Sequence, residues 1–153
     1  MKILLMLDID GVLYTSKYNR YLLENKIKDK DDYGYLFDLE CVNNLNYLVR
    51  KLNFDVVVTS TWRSKGLDYI KELFYVRKID VNIVDITPLG TIDKLYFKRC
   101  DEVKDYKNIN NYDEIIVIDD NFGSCGEDYN IFKTTMETGL KIDIVEKIIQ
   151  KYE

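Results

Sequence analysis

The sequence predicts an α/β fold, a Rossmann-like three-layer α/β/α sandwich built on a mainly parallel five-stranded sheet. Short apolar runs alternate along the chain with longer amphipathic segments, an order typical of strands that alternate with helices. Three of these runs are nearly continuous in Ile, Leu and Val, as expected of strands buried on both faces of a parallel sheet. The 153 residues, 46% of them apolar, are enough for a single domain, 1–153, with a real core.

The apolar runs and amphipathic segments give the expected elements in chain order. Five strands are expected over 2–7, 55–58, 81–86, 114–118 and 130–133. Four helices are expected over 39–52, 67–77, 93–107 and 144–149, each with apolar residues at helical spacing. Asp38 is well placed to cap the first of these helices. The apolar stripes are core-facing surfaces by default, and we assign them no other role.

The composition excludes several kinds of site. The chain has no histidine, which excludes Ser-His-Asp and Cys-His catalysis and histidine-ligated zinc. A net charge of −5 argues against a general nucleic-acid coat protein, although not against a local basic groove. Three dispersed cysteines without a CxxC motif indicate free thiols in a reducing, cytoplasmic setting. The apolar run 3–7 is too short to span a bilayer and resembles no signal peptide, so we expect no membrane association.

Two carboxylates directly follow the first expected strand. Asp8 and Asp10 are separated by one residue, and residues i and i+2 of an extended segment point the same way. The two side chains should therefore project together from the end of a buried strand. Because close like charges repel strongly, the pair requires compensation, most simply a bound cation or a shared proton.

Two further strands deliver polar groups to the same edge of the sheet. The second strand leads into Thr59, Ser60 and Arg63, and the fourth leads into Asp119 and Asp120. Ligands of open parallel sheets bind at the carboxyl ends of the strands. Singly, each residue is more often a turn residue, a helix cap or a surface charge. Together, carboxylates, hydroxyls and a guanidinium suit a hard cation such as Mg²⁺ with a phosphate.

The order of these motifs resembles that of the haloacid dehalogenase (HAD) superfamily along essentially the whole chain. Residues 8–13, Asp-Ile-Asp-Gly-Val-Leu, look like its first motif, DxDG[TV][LV]. Residues 56–59 resemble its second motif, a hydrophobic strand closed by Thr or Ser. Residues 115–120 resemble its fourth motif, a hydrophobic strand closed by two aspartates.

A closer likeness is to the small HAD domains associated with RNA-repair (Swiss-army-knife) proteins. Residues 59–63, 118–120 and 137–140 are similar to the SSWR, LDD and TGL segments of that group. The likeness implies an HAD-like fold with a minimal cap, and it implies phosphatase activity.

The resemblance implies a role for each acidic residue. Asp8 would be the nucleophile that forms an aspartyl-phosphate, and Asp10 would be the general acid and base. Asp8, the backbone carbonyl of Asp10 and Asp119 would hold Mg²⁺, with Asp120 assisting directly or through water.

The resemblance also implies a set of phosphate-binding groups. The expected set is Thr59, Ser60, Arg63, Lys98 and Arg99. The third motif of the superfamily is a single Lys or Arg, and here Lys98, Arg99 and the nearby Lys94 all fit. The segment 99–103 resembles an RxEI stretch of the RNA-repair group, which favours the Lys98/Arg99 pair.

The stretch 14–37 fits neither a strand nor a helix well and is rich in Tyr and Lys. We interpret it as a short flap or cap insert over the strand ends, because long loops in compact domains are often functional. An insert this short leaves the site open to bulky substrates. Its tyrosines could stack on bases while Arg20 and the lysines contact phosphates, or the tyrosines could simply cover the core.

These observations predict a Mg²⁺-dependent phosphomonoesterase acting on a nucleotide or a polynucleotide end. The alternatives are a non-catalytic metal- and phosphate-binding module and a phosphatase of small metabolites or phosphoproteins. A receiver domain with its acceptor at Asp85 fits the DxDG spacing and the late Asp pair less well. A phosphomutase usually needs a larger cap to exclude water, so hydrolysis is preferred.

Overall fold

The computed structural model describes residues 2–86, 111–121 and 130–153. The strands, in chain order, are β1 (Ile3–Leu7), β2 (Lys30–Asp31), β3 (Gly34–Tyr35), β4 (Asp55–Val58), β5 (Ile83–Ile86), β6 (Glu114–Asp119) and β7 (Asn130–Lys133). The helices are α1 (Ser16–Glu24), α2 (Leu39–Lys51), α3 (Leu67–Val76) and α4 (Ile142–Tyr152), with a 3₁₀ helix over Thr61–Lys65. The five expected strands are confirmed, although β5 begins two residues later than expected.

Within the described residues, five strands form one sheet in the order β5-β4-β1-β6-β7, and all four neighbouring pairs are parallel. The chain runs outward from β1 through β4 to β5, and then resumes at β6 on the other side of β1. The boundary between β1 and β6 is therefore the point at which the strand order reverses. In open α/β sheets, ligands bind beyond the carboxyl ends of the strands at this point. The α/β, Rossmann-like fold class is confirmed.

The central strand β1 is buried on both faces of the sheet. Leu5 and Leu7 join the larger core cluster, to which α2, α3 and α4 contribute their apolar stripes. Leu4 and Met6 point the other way into a smaller buried cluster with neighbours on β4 and β6. Burial on both sides is the reason that this strand is a continuous apolar run.

Helices α2 and α3 begin where the sequence predicts and end one residue earlier, whereas α4 begins two residues before its expected range 144–149 and ends three residues after it. Asp38 is the N-cap of α2 and accepts a hydrogen bond from the backbone N–H of Glu40 at 3.0 Å, as predicted. Helix α3 stops at Val76, and Arg77 is its C-cap. The helix expected over 93–107 lies outside the described residues.

The insert 14–37 contains secondary structure that the sequence does not reveal. It folds into α1, capped by Thr15, and a two-stranded antiparallel hairpin of β2 and β3. Of the side chains in α1, only Leu22 is buried, so its apolar stripe is too thin to produce a helical pattern. The hairpin strands have two residues each, too few to show alternation.

None of the helices in the described part of the chain combines the length and the apolar composition needed to cross a membrane.

Candidate active site

The sheet register aligns the residues that follow three neighbouring strands. Leu7 pairs with Val58 on β4 and with Ile118 on β6. The backbone N–H of Asp8 donates to the carbonyl of Ile118 at 3.1 Å, and that of Thr59 donates to the carbonyl of Leu7 at 2.9 Å. Asp8, Thr59 and Asp119 therefore lie side by side at the carboxyl edge of the sheet.

Three carboxylates meet at this edge. Asp8, Asp119 and Asp120 each offer a carboxylate oxygen, and these oxygens all lie within 4.8 Å of one another. The Asp8 and Asp119 residues are 4% and 2% exposed, whereas Asp120 is half-buried. Backbone N–H groups help to orient two of these carboxylates. Asp8 accepts the N–H of Ile9 at 2.8 Å, and Asp119 accepts the N–H of Asn121 at 2.9 Å.

This cluster has the donor set of a hard divalent cation. Carboxylate oxygens are the ligands that Mg²⁺ and Ca²⁺ prefer. Two nearly buried carboxylates and a third beside them repel one another, and a cation among them offsets that repulsion. The three carboxylates therefore fit a hard divalent cation such as Mg²⁺, for which Asp8, Asp119 and Asp120 are the candidate side-chain ligands.

The carboxylate of Asp10 is held on another side of the site. Its Oδ1 accepts a hydrogen bond from the indole Nε1 of Trp62 at 3.0 Å. The Trp62 ring packs edge-on against Phe37, with the ring centroids 5.7 Å apart, so the indole is fixed from behind. The sequence run 59–63 pointed to this segment, but nothing in it assigned the indole to Asp10.

A tight turn carries the chain past the two aspartates. The carbonyl of Ile9 accepts backbone N–H groups from Val12, Leu13 and Tyr14 at 2.8–3.1 Å. Gly11 has φ +77°, and a Cβ there would overlap the Asp120 carboxylate. The glycine of the first motif is thus required by backbone conformation and by the close approach of a candidate metal ligand.

Thr134 is a buried residue at this edge to which the sequence analysis gave no role. It directly follows β7, donates its hydroxyl to the carbonyl of Gly11, and donates its backbone N–H to the carbonyl of Asp119 at 3.1 Å. It therefore ties the turn after β1 to the end of β6. Its place directly after the fifth strand is the sequence signal that could have identified it.

The expected phosphate-binding residues are only partly described. Thr59 and Ser60 are buried at the end of β4. The Ser60 hydroxyl oxygen accepts the backbone N–H of Trp62 at 3.3 Å, so it also caps the 3₁₀ helix. The Arg63 side chain lies outside the described part of the structure, as do Lys94, Lys98 and Arg99.

The run 137–140 packs against the loop that follows β1. Gly139 has φ +62°, and a Cβ there would lie 2.7 Å from the carbonyl oxygen of Val12 and 2.8 Å from Sγ of Cys41. The next backbone N–H, of Leu140, donates to that same carbonyl at 2.9 Å. This run therefore fixes the loop that carries the two aspartates and has no described contact with a reacting group.

A cavity of about 660 Å³ opens beside Asp10, between the insert and the 3₁₀ helix. Its apolar walls are the rings of Tyr14, Tyr33, Tyr35, Trp62 and Tyr69, together with Met136. Its polar lining includes Asp31, Asp32, Ser64 and Lys65. Burial raises the pKa of the Tyr14 hydroxyl, and the nearby Tyr35 and Asp10 raise it further, so this phenol stays neutral.

The β2–β3 hairpin that forms one wall of the cavity is clamped to α3. The Arg77 guanidinium donates to both carboxylate oxygens of Asp31, at 2.5 and 2.8 Å, and to the carbonyls of Gly34 and Tyr35. The Tyr69 hydroxyl adds a hydrogen bond of 2.8 Å to the carbonyl of Tyr33.

Comparison with known proteins identifies one family. A family model described as "HAD domain in Swiss Army Knife RNA repair proteins" matches residues 4–145. No significant match is found among curated proteins or among solved structures. The matched span includes every residue of the acidic cluster, and the family supports a phosphatase-type function with which that cluster is compatible.

Proposed function

Because this chain belongs to the HAD domains of Swiss Army Knife RNA repair proteins, we propose that it is a Mg²⁺-dependent phosphomonoesterase. Its substrate would be the phosphate ester of a nucleotide or of a polynucleotide end. The observation that carries the proposal is the division of the acidic residues. Three carboxylates cluster at the end of β1 and β6, whereas an indole N–H donates to one oxygen of Asp10.

The unequal surroundings of Asp8 and Asp10 support unequal roles. Asp8 lies in the acidic cluster, where a carboxylate oxygen would attack phosphorus and form an acyl phosphate. The bond between phosphorus and the ester oxygen breaks in this step, and Asp10 gives its proton to the departing oxygen. Asp10 then takes a proton from water, which attacks phosphorus, releases inorganic phosphate and restores the Asp8 carboxylate.

Mg²⁺ held by Asp8, Asp119 and Asp120 would neutralise charge between these carboxylates and the phosphate oxygens. The buried hydroxyls of Thr59 and Ser60 lie at the same edge and would donate to the phosphoryl oxygens. Trp62 orients the proton-transferring group, because its N–H fixes one oxygen of the Asp10 carboxylate.

The test is hydrolysis of a generic phosphomonoester by the intact chain, with Mg²⁺ and with a chelator. We expect Mg²⁺-dependent release of phosphate, and we expect Asp8→Asn to lower kcat by about 10⁴-fold or more, as loss of a nucleophile does. Asp80→Asn is the matched control, because Asp80 is exposed just before β5, at the opposite end of the sheet.

Absence of hydrolysis with every divalent cation would refute the phosphatase proposal and favour a non-catalytic binding module. Activity that survives in Asp8→Asn would refute the assignment of Asp8 as nucleophile. Cytoplasmic location and the absence of a membrane partner stay predictions from the sequence.

A further inference from the structure

An aromatic cavity lies beside Asp10, and apart from Asp10 and Trp62 the phosphate chemistry uses none of its lining residues. We propose that this cavity binds the nucleobase of the leaving group. That leaving group is either the nucleoside of a mononucleotide or the terminal residue of a polynucleotide. This inference rests on the proposed phosphatase function, in which Asp10 protonates the departing oxygen.

The position of Asp10 places the leaving group on the side of the cavity. Asp10 lines the cavity, whereas Asp8 does not, and Asp8 belongs to the acidic cluster instead. The oxygen that receives the proton of Asp10 must lie within hydrogen-bond reach of that carboxylate. The group attached to that oxygen then extends away from the acidic cluster, towards the rings of the insert.

The lining of the cavity suits a flat, uncharged ring. Tyr14 and Tyr35 pack against each other at a tilt of 46° with centroids 5.2 Å apart, and Tyr33 and Tyr69 at a tilt of 42° with centroids 5.7 Å apart. Aromatic side chains of this kind are the usual platforms on which bases stack. Asp32, Ser64 and Lys65 add donors and acceptors that can pair with the polar edge of a base.

The size of the cavity favours a nucleoside over the phenyl ring of a phosphotyrosine. The cavity is an open cleft, and its volume of about 660 Å³ has room for a base together with its sugar. In a nucleotide, the sugar separates the base from the reacting oxygen, so the base would lie farther from Asp10, among the aromatic rings of the cavity. In phosphotyrosine the ring is bonded directly to that oxygen and stays beside Asp10.

Contacts within the protein hold the walls of the cavity in place. Arg77 and Tyr69 hold the hairpin on α3, and Gly34 lets it approach the Trp62 ring closely. A Cβ at Gly34 would lie 3.2 Å from that ring, and its φ of +104° also favours glycine. A site that is rigid before binding loses less conformational freedom when the ligand enters.

Trp62 is the only tryptophan in the sequence, so its fluorescence reports binding without any reaction. We expect adenosine to change the Trp62 emission saturably and ribose to leave it unchanged. Tyr35→Ala should weaken adenosine binding about tenfold, because stacking contributes this much per base, and Tyr35→Phe should restore it. Tyr75→Ala is the control, because Tyr75 is 83% exposed on α3 and outside the cavity.

Kinetics of the intact chain provide the second measurement. The substrates are a nucleoside monophosphate, an end-phosphorylated oligonucleotide, phosphotyrosine and glycerol phosphate. We expect a lower KM for a nucleotide than for glycerol phosphate. Tyr35→Ala should reduce the ratio of the glycerol phosphate KM to the nucleotide KM, and Tyr75→Ala should leave this ratio unchanged. Comparing the mononucleotide with the oligonucleotide identifies the source of the base.

The results separate this inference from the function on which it rests. Equal KM values for nucleotides and glycerol phosphate, or a preference for phosphotyrosine, would overturn the nucleobase pocket and leave the phosphatase intact. Adenosine binding without hydrolysis of any ester would support the pocket and refute the phosphatase. No response of Trp62 to adenosine would also overturn the pocket.

Discussion

Glycine is required at position 11 for two separate reasons. Its φ of +77° favours a residue without a Cβ, and the space that a Cβ would need is filled by the Asp120 carboxylate. Gly66 provides an internal comparison, because it also has a positive φ, of +96°, but has nothing within 4 Å of its Cβ position. The two glycines therefore separate backbone strain from steric conflict.

We expect Gly11→Ala to destabilise the fold more than Gly66→Ala does. Gly66→Ala introduces backbone strain of about 1–3 kcal/mol, and Gly11→Ala adds a clash worth at least about 1 kcal/mol. Urea unfolding of both variants measures the difference. Gly11→Ala should also weaken Mg²⁺ binding, because it displaces Asp120. Equal destabilisation of the two variants would show that the loop around residue 11 moves away from Asp120 without a cost in free energy.

Cys41 is a buried thiol whose chemistry is suppressed by its surroundings. Burial, together with the negative charge of Asp38, raises the pKa of the Cys41 thiol to about 12. Cys41 packs under the loop that contains Gly139 and donates weakly to the carbonyl of Thr138 at 3.5 Å. The sequence prediction of an unpaired thiol is confirmed for this cysteine.

We expect Cys41 to resist alkylation in the folded protein at pH 8. With a pKa near 12, only about 10⁻⁴ of the thiol is ionised, and the thiolate is the reactive form. Mass spectrometry of the Cys41 peptide after iodoacetamide treatment gives the rate, and the same peptide in urea is the control. Fast alkylation of the native protein would contradict the burial.

At the scale of elements, the insert 14–37 is anchored at both ends. Asp38 accepts the Thr15 hydroxyl at 2.8 Å, and the pair Arg20–Glu137 connects α1 to the loop after β7. The hairpin is attached through Arg77, whose side chain is 7% exposed. Its function as a flap stays a prediction, but these contacts describe a wall of the cavity that is fixed in place.

We expect Arg77→Ala to release the hairpin while the sheet remains folded. Four hydrogen bonds to Asp31, Gly34 and Tyr35 are lost together. Hydrogen exchange at the hairpin amides, such as that of Leu36, should accelerate about tenfold or more. Arg50→Ala is the control, because Arg50 is an exposed arginine at the end of α2. Unchanged exchange would show that Tyr69 alone is enough to hold the hairpin.

Acid should weaken the same attachment. The hydrogen bond from Arg77 lowers the pKa of Asp31 below its usual value, and the backbone N–H of Tyr33 lowers it further. Because the folded pKa is depressed, this contribution is complete above the ordinary carboxyl pKa of about 4 and disappears as the pH falls through the folded value. The protection of the hairpin amides, relative to exchange of the unfolded chain at the same pH, should therefore fall below about pH 4 in the unchanged protein and depend less on pH in Arg77→Ala.

At the scale of the whole molecule, repulsion within the acidic cluster lowers the stability of the fold. The parallel sheet brings Asp8, Asp119 and Asp120 together at its carboxyl edge, and their mutual repulsion opposes folding. A cation that binds only the folded state removes this repulsion and adds its own binding free energy to stability.

We expect Mg²⁺ to raise the Tm. At one hundred times Kd, the gain is about 2.7 kcal/mol, which for a chain of this length is roughly 5–10 °C. Asp119→Asn should lose this shift yet unfold at the same or a higher temperature without Mg²⁺, because one repelling charge is gone. Asp80→Asn should keep the shift. An identical shift in Asp119→Asn would exclude Asp119 as a ligand.

The sequence by itself determined the elements whose signal is local. Continuous apolar runs gave the strands because β1 and its neighbours are buried on both faces, and Asp38 marked the start of α2 because capping involves adjacent residues. The Asp pair at 8 and 10 and the pair at 119 and 120 were visible because each directly follows a strand. The rule that strand ends converge then predicted their common site.

Only the tertiary structure decided which of these aspartates form the acidic cluster and which one is bound by Trp62 instead. Only the pairing of β1 with β6 brings the Asp8 carboxylate to Asp119 and Asp120, and only the packing of Trp62 on Phe37 aims an indole N–H at Asp10. The insert is a similar case, since α1 and the hairpin are held by distant partners and carry almost no pattern of their own. Contacts between residues far apart in the chain leave no periodic trace in the sequence, so the cavity beside Asp10 emerges only in the folded molecule.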